Sequence, residues 1–220
     1  MKNIRRSIGQ NPAFFTGYLV FIIFISTYCL LIGKSEGFLL INRFHYKVLD
    51  DFFILFTNLG NGIFAILLMV FMLLRKKYGY TLQIALSFLV SGFLVQILKH
   101  LVHSPRPKLF FGPGAIHSIG GITGTGYSSF PSGHTATIFA LATLFSYYFP
   151  GKKPAIYLVL VAALTGFSRI YLSQHFPVDV LAGSFLGVIV SVFCYGLVPL
   201  TRFEKKYAGK DLGSQTLKLR

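Results

Sequence analysis

Long apolar stretches separated by segments rich in lysine and arginine dominate the pattern of this 220-residue chain. A helix needs about 20 mostly apolar residues to cross the hydrocarbon core of a bilayer. We interpret six stretches as membrane spans: Phe14–Ile32, Phe52–Leu74, about Tyr80–Leu101, Thr135–Phe149 continuing from a start at Ser132, Ala155–Leu172 and Val178–Leu200. The pattern therefore predicts an all-α fold, a bundle of six transmembrane helices in a single domain, residues 1–220.

The segments between the predicted spans are not equivalent. Gly33–Asp51 carries charges of both signs, which predicts a loop with room for a short interfacial helix. Residues 58–62, Asn-Leu-Gly-Asn-Gly, interrupt the second span, and residues 103–130 contain no apolar run that could cross a membrane. Long loops in compact domains are usually functional or disordered, and we predict a functional lid here because motifs flank the segment on both sides.

Composition supports the membrane class and excludes a nucleic-acid partner. Hydrophobic residues make up 54% of the chain and charged residues 12%, against roughly 25% charged in ordinary soluble domains. The net charge of +15 is spread over segments between apolar stretches instead of forming one basic face. Membrane lipids are therefore the expected surroundings, and the oligomeric state is not predicted.

Three clusters of chemically active residues lie in the second half of the chain. They are Lys99 with Arg106-Pro107, then Pro131-Ser132-Gly133-His134, and then Ser168-Arg169 with His175 and Asp179. Asp179 is one of only 6 acidic residues in the protein. Three cations, two histidines, a carboxylate and a glycine turn are the groups that a site needs to hold a phosphate and attack it.

The order and spacing of these clusters resemble the three-part signature of the type 2 phosphatidic acid phosphatase (PAP2) superfamily, which also includes vanadium haloperoxidases and glucose-6-phosphatases. Every motif position between residues 99 and 179 matches. The resemblance implies a membrane-bound lipid phosphatase that uses a phosphohistidine intermediate and needs no metal or cofactor. It implies catalytic roles for His175, His134 and Asp179, and phosphate-binding roles for Lys99, Arg106, Ser132, Gly133 and Arg169.

The residue chemistry of the phosphate-binding positions agrees with that implication. Arginine offers forked contacts to phosphoryl oxygens, while lysine acts as a point charge. Ser132 is placed as the N-cap of the fourth span, so Gly133 and His134 open a helix whose unpaired N–H groups can bind an anion. Taken singly, Lys99 could be a cation that snorkels to the membrane interface, and His134 could be a helix cap.

The two histidines have different surroundings in the sequence. Asp179 follows His175 by four residues, so the two can share one face if the sixth helix begins near Pro177. A carboxylate on one ring nitrogen leaves the other free to attack, and His134 would then protonate the leaving group. The residues alone leave the identity of the nucleophile open, since Asp179 could instead pair with Arg169; the carboxylate favours His175. The other four histidines of the chain match no motif and are interpreted as loop residues: His45, His100, His103 and His117.

The basic residues also predict an orientation in the membrane. Six spans place both termini on one side, which then carries 14 of the 21 lysines and arginines, including those of the tail 201–220. The positive-inside rule puts that side in the cytoplasm. All three motifs then lie on the outer side.

These observations lead to one main functional hypothesis, an integral membrane phosphatase acting on a lipid phosphate or diphosphate at the outer face of a bacterial inner membrane. Candidate substrates are undecaprenyl diphosphate, phosphatidylglycerophosphate, phosphatidic acid and lipid A phosphate, which the motifs cannot separate because motif residues contact only phosphate. We expect Gly33–Asp51 and residues 103–130 to recognise the headgroup. The alternatives are a lipid-to-lipid phosphotransferase and a non-catalytic lipid-phosphate binder or transporter, although the latter should show a degraded motif.

Overall fold

The computed structural model describes residues 9–198, and these residues form helices and connecting segments without a strand. The helices are α1 (Pro12–Ile32), α2 (Lys34–Asn42), α3 (Lys47–Phe56), a 3-10 turn (Thr57–Gly60), α4 (Gly62–Leu74), α5 (Tyr78–Val102), α6 (Pro107–Phe111), α7 (Gly133–Tyr148), α8 (Lys152–Tyr171) and α9 (Pro177–Leu197). The all-α prediction is confirmed. The basic tail, residues 201–220, and the last two residues of the sixth predicted span lie outside the described part.

By the criteria of length and hydropathy, fewer helices could span a membrane than the six that the sequence predicted. Within residues 9–198, α1, the stretch Tyr78–Phe111, α8 and α9 are long and apolar enough to cross a membrane. Helices α3 and α4, which flank the 3-10 turn and are bent by 51° relative to each other, make a fifth span if they count as one broken span. Helix α7 has 16 residues, short of the roughly 20 that a full crossing needs. Six spans therefore remain a proposal.

Helix α7 is the centre of the bundle, with 11 of its 16 residues buried. Helix α9 packs closely on it through two glycines one helical turn apart. A Cβ atom at Gly183 would lie 2.5 Å from the Ser132 carbonyl oxygen, and one at Gly187 would lie 2.3 Å from that of Ala136. Small residues four apart let helix backbones approach in membranes. This contact brings the start of α9, with Asp179, to the start of α7.

We expect Gly187→Ala to destabilise the protein, because the added methyl group meets backbone atoms of α7 that cannot rotate away. Overpacking of this kind costs roughly 1–3 kcal/mol. Gly92→Ala is the matched control: apart from the backbone of its own helix and its chain neighbours, no described atom lies within 4 Å of its added Cβ. Alanine is favoured over glycine in a helix by about 1 kcal/mol. Thermal unfolding of the detergent-purified variants measures the difference. Equal midpoints for the two variants would contradict the close contact.

The predicted interruption of the second span is confirmed. The Asn61 side chain caps α4 by accepting a hydrogen bond from the N–H of Ile63 at 3.0 Å. The Asn58 amide donates to the carbonyls of Ile54 and Leu55 at 3.0 and 3.1 Å, so it is satisfied locally. Gly60 packs on the first turn of α7, where its Cβ would lie 2.7 Å from the His134 carbonyl oxygen. The break therefore positions the turn beside His134.

Two predicted connections are more helical than expected. Gly33–Asp51 forms α2 and the first half of α3, because Gly33 with φ +82° ends α1 and Phe38 of α2 is fully buried against Phe111 and Phe176. Residues 151–154, between the fourth and fifth predicted spans, are also largely helix, since α8 begins at Lys152. Proline is tolerated in the first helical turn, so Pro154 does not prevent this start.

Candidate active site

The structure brings the charged residues of all three motifs to one place. His134 interacts electrostatically with Lys99, Arg106, Arg169 and His175. These groups come from four different places, namely the last turn of α5, the N-cap of α6, the last turn of α8 and the segment before α9. Residues scattered over 77 sequence positions therefore form one cluster at the ends of the central helices.

Asp179 lies in the first turn of α9, and its side chain makes its described hydrogen bonds through one carboxylate oxygen. Its Oδ2 accepts hydrogen bonds from the Ser129 hydroxyl at 2.5 Å and from the N–H of Phe176 at 2.9 Å. The same oxygen lies 3.5 Å from Nδ1 of His175, which is longer than a normal hydrogen bond, and Nδ1 has no hydrogen-bond partner among residues 9–198. The other oxygen, Oδ1, is buried and has no hydrogen-bond partner among residues 9–198.

His175 precedes α9 by two residues, so it is not on the helix with Asp179 as the four-residue spacing suggested. It is 2% exposed. Burial lowers the pKa of His175 to about 4, although the nearby Asp179 carboxylate acts in the opposite direction. The imidazole is therefore neutral at pH 7, with one nitrogen facing the carboxylate and a lone pair available on the ring.

Arg169 is a buried cation that has no carboxylate partner among residues 9–198. Its Nη1 donates to the Thr57 hydroxyl at 2.7 Å, and its Nε is buried without a partner in the part of the chain that the structure describes. Among those residues no carboxylate lies within ion-pair distance of it, so the alternative pairing with Asp179 is not formed. Burying a charge without a counter-ion is costly, and an anionic ligand would remove that cost.

Arg106 is held by the loop that connects the first two motifs. Its Nε donates to the Ser128 hydroxyl at 3.3 Å, and its Nη1 donates to the side-chain oxygen of Gln174. The Gln174 amide in turn donates to the carbonyl of Ile122. Gly124 also packs here, with its Cβ position 2.8 Å from Nη1 of Arg106. The loop thus wraps the arginine, as a lid over the site would.

Ser132 is the N-cap of α7, and its hydroxyl oxygen accepts from the N–H of Thr135 at 3.4 Å and from the Thr135 hydroxyl at 2.8 Å. Gly133 and His134 form the first turn, whose N–H groups have no acceptor inside the helix.

Lys99 is half-buried and interacts electrostatically with both arginines and with Asp179. Its position among these charges is more specific than snorkelling would require.

A second polar cluster ties the outer helices to the segment that carries His175. The rings of His45 and His117 stack with centroids 3.7 Å apart, and Nε2 of His117 lies 3.2 Å from Oδ2 of Asp50. The Ser173 hydroxyl donates to the His117 carbonyl at 2.6 Å and accepts from the Asn42 amide at 2.9 Å. His45 and His117 do lie in loops, but sequence reasoning missed the structural link that they make between α2, the segment of residues 103–130 (the lid loop) and the third motif.

Sequence reasoning also missed the polar residues that support the site, Thr57, Ser129 and Gln174. None belongs to a recognisable spacing, and each acts on a motif residue far away in the sequence.

Within residues 9–198, no group of three or more His, Cys, Asp or Glu side chains is placed to hold a metal ion. The cluster as a whole sets three cations and two histidines against one carboxylate, which suits a multiply charged anion.

Comparison with known proteins agrees with this geometry. The chain is 30% identical over 163 residues to undecaprenyl-diphosphatase BcrC of Bacillus subtilis (strain 168), covering 72% of this chain and 79% of that protein. It is 31% identical over 140 residues to lipid phosphate phosphatase 1 of Arabidopsis thaliana, covering 52% of this chain. The match spans less than half of that plant protein, 43%.

A solved structure has a similar fold. The crystal structure of Aquifex aeolicus LpxE superposes with a TM-score of 0.65 at 32% identity, covering 73% of this chain and 93% of that one. The family described as the PAP2 superfamily matches residues 80–202, which include all three motifs. On this match and on the convergence of the motif residues, the chain belongs to the PAP2 superfamily.

Proposed function

We propose that this protein is an integral membrane phosphatase that hydrolyses a lipid phosphate or diphosphate through a phosphohistidine intermediate. The observation that carries the proposal is the cluster of Lys99, Arg106 and Arg169 around two histidines, with a single carboxylate nearby. The known proteins that it resembles, a lipid phosphate phosphatase, an undecaprenyl-diphosphatase and LpxE, support the same class of activity.

In the proposed reaction, the neutral imidazole of His175 attacks phosphorus in line with the leaving oxygen. A nitrogen–phosphorus bond forms as the phosphorus–oxygen bond breaks, and His134 gives a proton to the departing oxygen. Asp179 stabilises the positive charge that develops on the His175 ring. Water then attacks the phosphohistidine and releases phosphate, with His134 accepting the proton. The three cations and the first turn of α7 stabilise charge on the transferred group.

The site is assigned to the outer face of a bacterial inner membrane. The excess of lysine and arginine on the opposite side supports that orientation. The candidate substrates remain undecaprenyl diphosphate, phosphatidylglycerophosphate, phosphatidic acid and lipid A phosphate, because the residues described above address phosphate alone. Headgroup recognition is assigned to Gly33–Asp51 and to the lid loop, residues 103–130. Two hydrogen bonds between the Asn42 side chain and the backbone of His117 join these segments.

The test of the function is phosphate release by the purified protein from a panel of these four lipids, measured in the presence of EDTA. We expect turnover of at least one lipid, because the proposed chemistry uses only side chains. Inhibition by vanadate should accompany it, since vanadate adopts the trigonal bipyramidal geometry of phosphoryl transfer. Analysis of lipid products distinguishes hydrolysis from transfer to a second lipid. Activity that EDTA removes and magnesium restores would contradict the metal-independent mechanism.

The orientation can be tested with single cysteines in a Cys29→Ala, Cys194→Ala background. Gly120→Cys lies in the lid loop, where no atom comes within 4 Å of the added Cβ, and Lys152→Cys is exposed at the start of α8. We expect an impermeant thiol reagent to label the first variant in intact spheroplasts and the second only after lysis. Labelling of Lys152→Cys alone would place the site on the cytoplasmic side.

A further inference from the structure

We propose that Ser129 is a positioning residue, whose hydroxyl fixes the Asp179 carboxylate so that one of its oxygens faces His175. The inference rests on the proposed function, because it assigns Ser129 a role in activating the proposed nucleophile. Ser129 precedes the second motif and has no counterpart in the three-part signature, so the motif pattern does not point to it.

The serine is itself rigidly placed. It is fully buried, with an exposure of 0%, and its backbone N–H donates to the Ser104 carbonyl at 3.0 Å. Its hydroxyl donates to Oδ2 of Asp179 at 2.5 Å, a length typical of strong hydrogen bonds from hydroxyl groups to charged oxygens. A hydroxyl held in this way can impose an orientation on its acceptor.

The carboxylate needs such a constraint because the terminal torsion of aspartate is broad and roughly two-fold. Two donors, Ser129 and the N–H of Phe176, both select Oδ2, and Oδ2 is the oxygen that lies 3.5 Å from Nδ1 of His175. With the hydroxyl removed, only the Phe176 N–H would choose between the two oxygens. The carboxylate could then rotate, and Nδ1 of His175 would no longer face one oxygen held in a fixed position.

The same segment connects the proposed acid to the proposed nucleophile. Three residues after Ser129, the N–H of Ser132 donates to the backbone carbonyl of Asp179 at 3.0 Å. Ser132 caps the helix whose second residue is His134. The Ser129 hydroxyl and the Ser132 N–H therefore hold Asp179 at its side chain and its backbone, and they set the relative position of the two histidines.

A double-mutant cycle tests the role. We expect Ser129→Ala to lower kcat and the rate of phosphoenzyme formation roughly 10-fold to 100-fold, as for one lost hydrogen bond to a charged group, with KM changed little. In an Asp179→Asn background the same substitution should lower kcat by less than about a further 2-fold, because the effects of substitutions within one hydrogen-bond network are not additive. Ser129→Cys, which keeps the size but is a weaker donor, should be intermediate.

Ser146→Ala is the matched control, since Ser146 is also fully buried in α7 and its hydroxyl donates to a backbone carbonyl at 2.8 Å, away from the cluster. It should leave turnover unchanged. Equal losses from Ser129→Ala in the two backgrounds, or no loss in either, would overturn the inference. If Ser129→Ala does not fold, as judged by thermal unfolding, the Ser129→Cys cycle decides by the same criterion. A wild-type protein without phosphatase activity would instead refute the proposed function.

Discussion

His175→Ala is expected to abolish phosphate release and to leave no phosphoenzyme on the protein. The proposed reaction forms its covalent bond at this ring, and alanine offers no atom that could replace it. The effect should be larger than that of losing any one of the three cations, since two cations of the cluster would remain to bind the phosphate. Rapid acid quenching after mixing with a radiolabelled lipid phosphate would measure the trapped intermediate.

His100→Ala is the control for this substitution. His100 lies next to Lys99 at the end of α5, but it is exposed, and its Nδ1 contacts the Gln96 carbonyl at 2.7 Å within its own helix. We expect that variant to keep full turnover and a normal phosphoenzyme level. Phosphate trapped on His134 in the His175→Ala protein would reverse the assignment of the two histidines.

The cluster could be predicted from the sequence because its members have chemistry that is rare in this chain. With only 6 acidic residues, a carboxylate four positions after a histidine is conspicuous, and the structure does place Asp179 beside His175. The N-cap at Ser132 was also predictable, since serine followed by an apolar helix is a common start signal. These signals are local, so a single sequence carries them.

The supporting residues could not be predicted, because their contacts join distant parts of the chain. Ser129 reaches Asp179 across 50 positions, and Thr57 reaches Arg169 across 112. Serine and threonine are frequent and often bond to their own helix, so their type alone carries little information. Only the folded arrangement distinguishes them from other buried hydroxyl residues such as Ser146.

The helices of residues 33–51 were only partly predicted, for a different reason. The charges in this segment indicated a loop with room for a short interfacial helix, yet α2 buries Phe38 against aromatic rings of α6 and of the segment before α9. Lys34 also lies over the Phe176 ring at 4.3 Å. A nine-residue helix shows too few turns for its apolar face to emerge from the pattern. Tertiary packing therefore decided the structure where the local pattern was weak.

His134→Ala should produce a loss that depends on the leaving group. An alkoxide leaves poorly without a proton, so the natural lipid substrate should lose roughly 10²–10⁴-fold in rate when the general acid is removed. An activated aryl phosphate releases a stable phenolate and should lose much less. His134 is placed for this role because it opens α7 in the same cluster as His175 and the cations assigned to the phosphoryl group.

Arg169→Lys is the comparison that makes this test specific. Arg169 is assigned to the phosphoryl group, which the two substrates share, so its substitution should slow both by similar factors. The ratio of lipid turnover to aryl phosphate turnover should therefore fall in His134→Ala and stay near the wild-type value in Arg169→Lys. An unchanged ratio in His134→Ala would reduce that histidine to a phosphate-binding residue. Proton transfer to the leaving oxygen would then have to come from another group at the site.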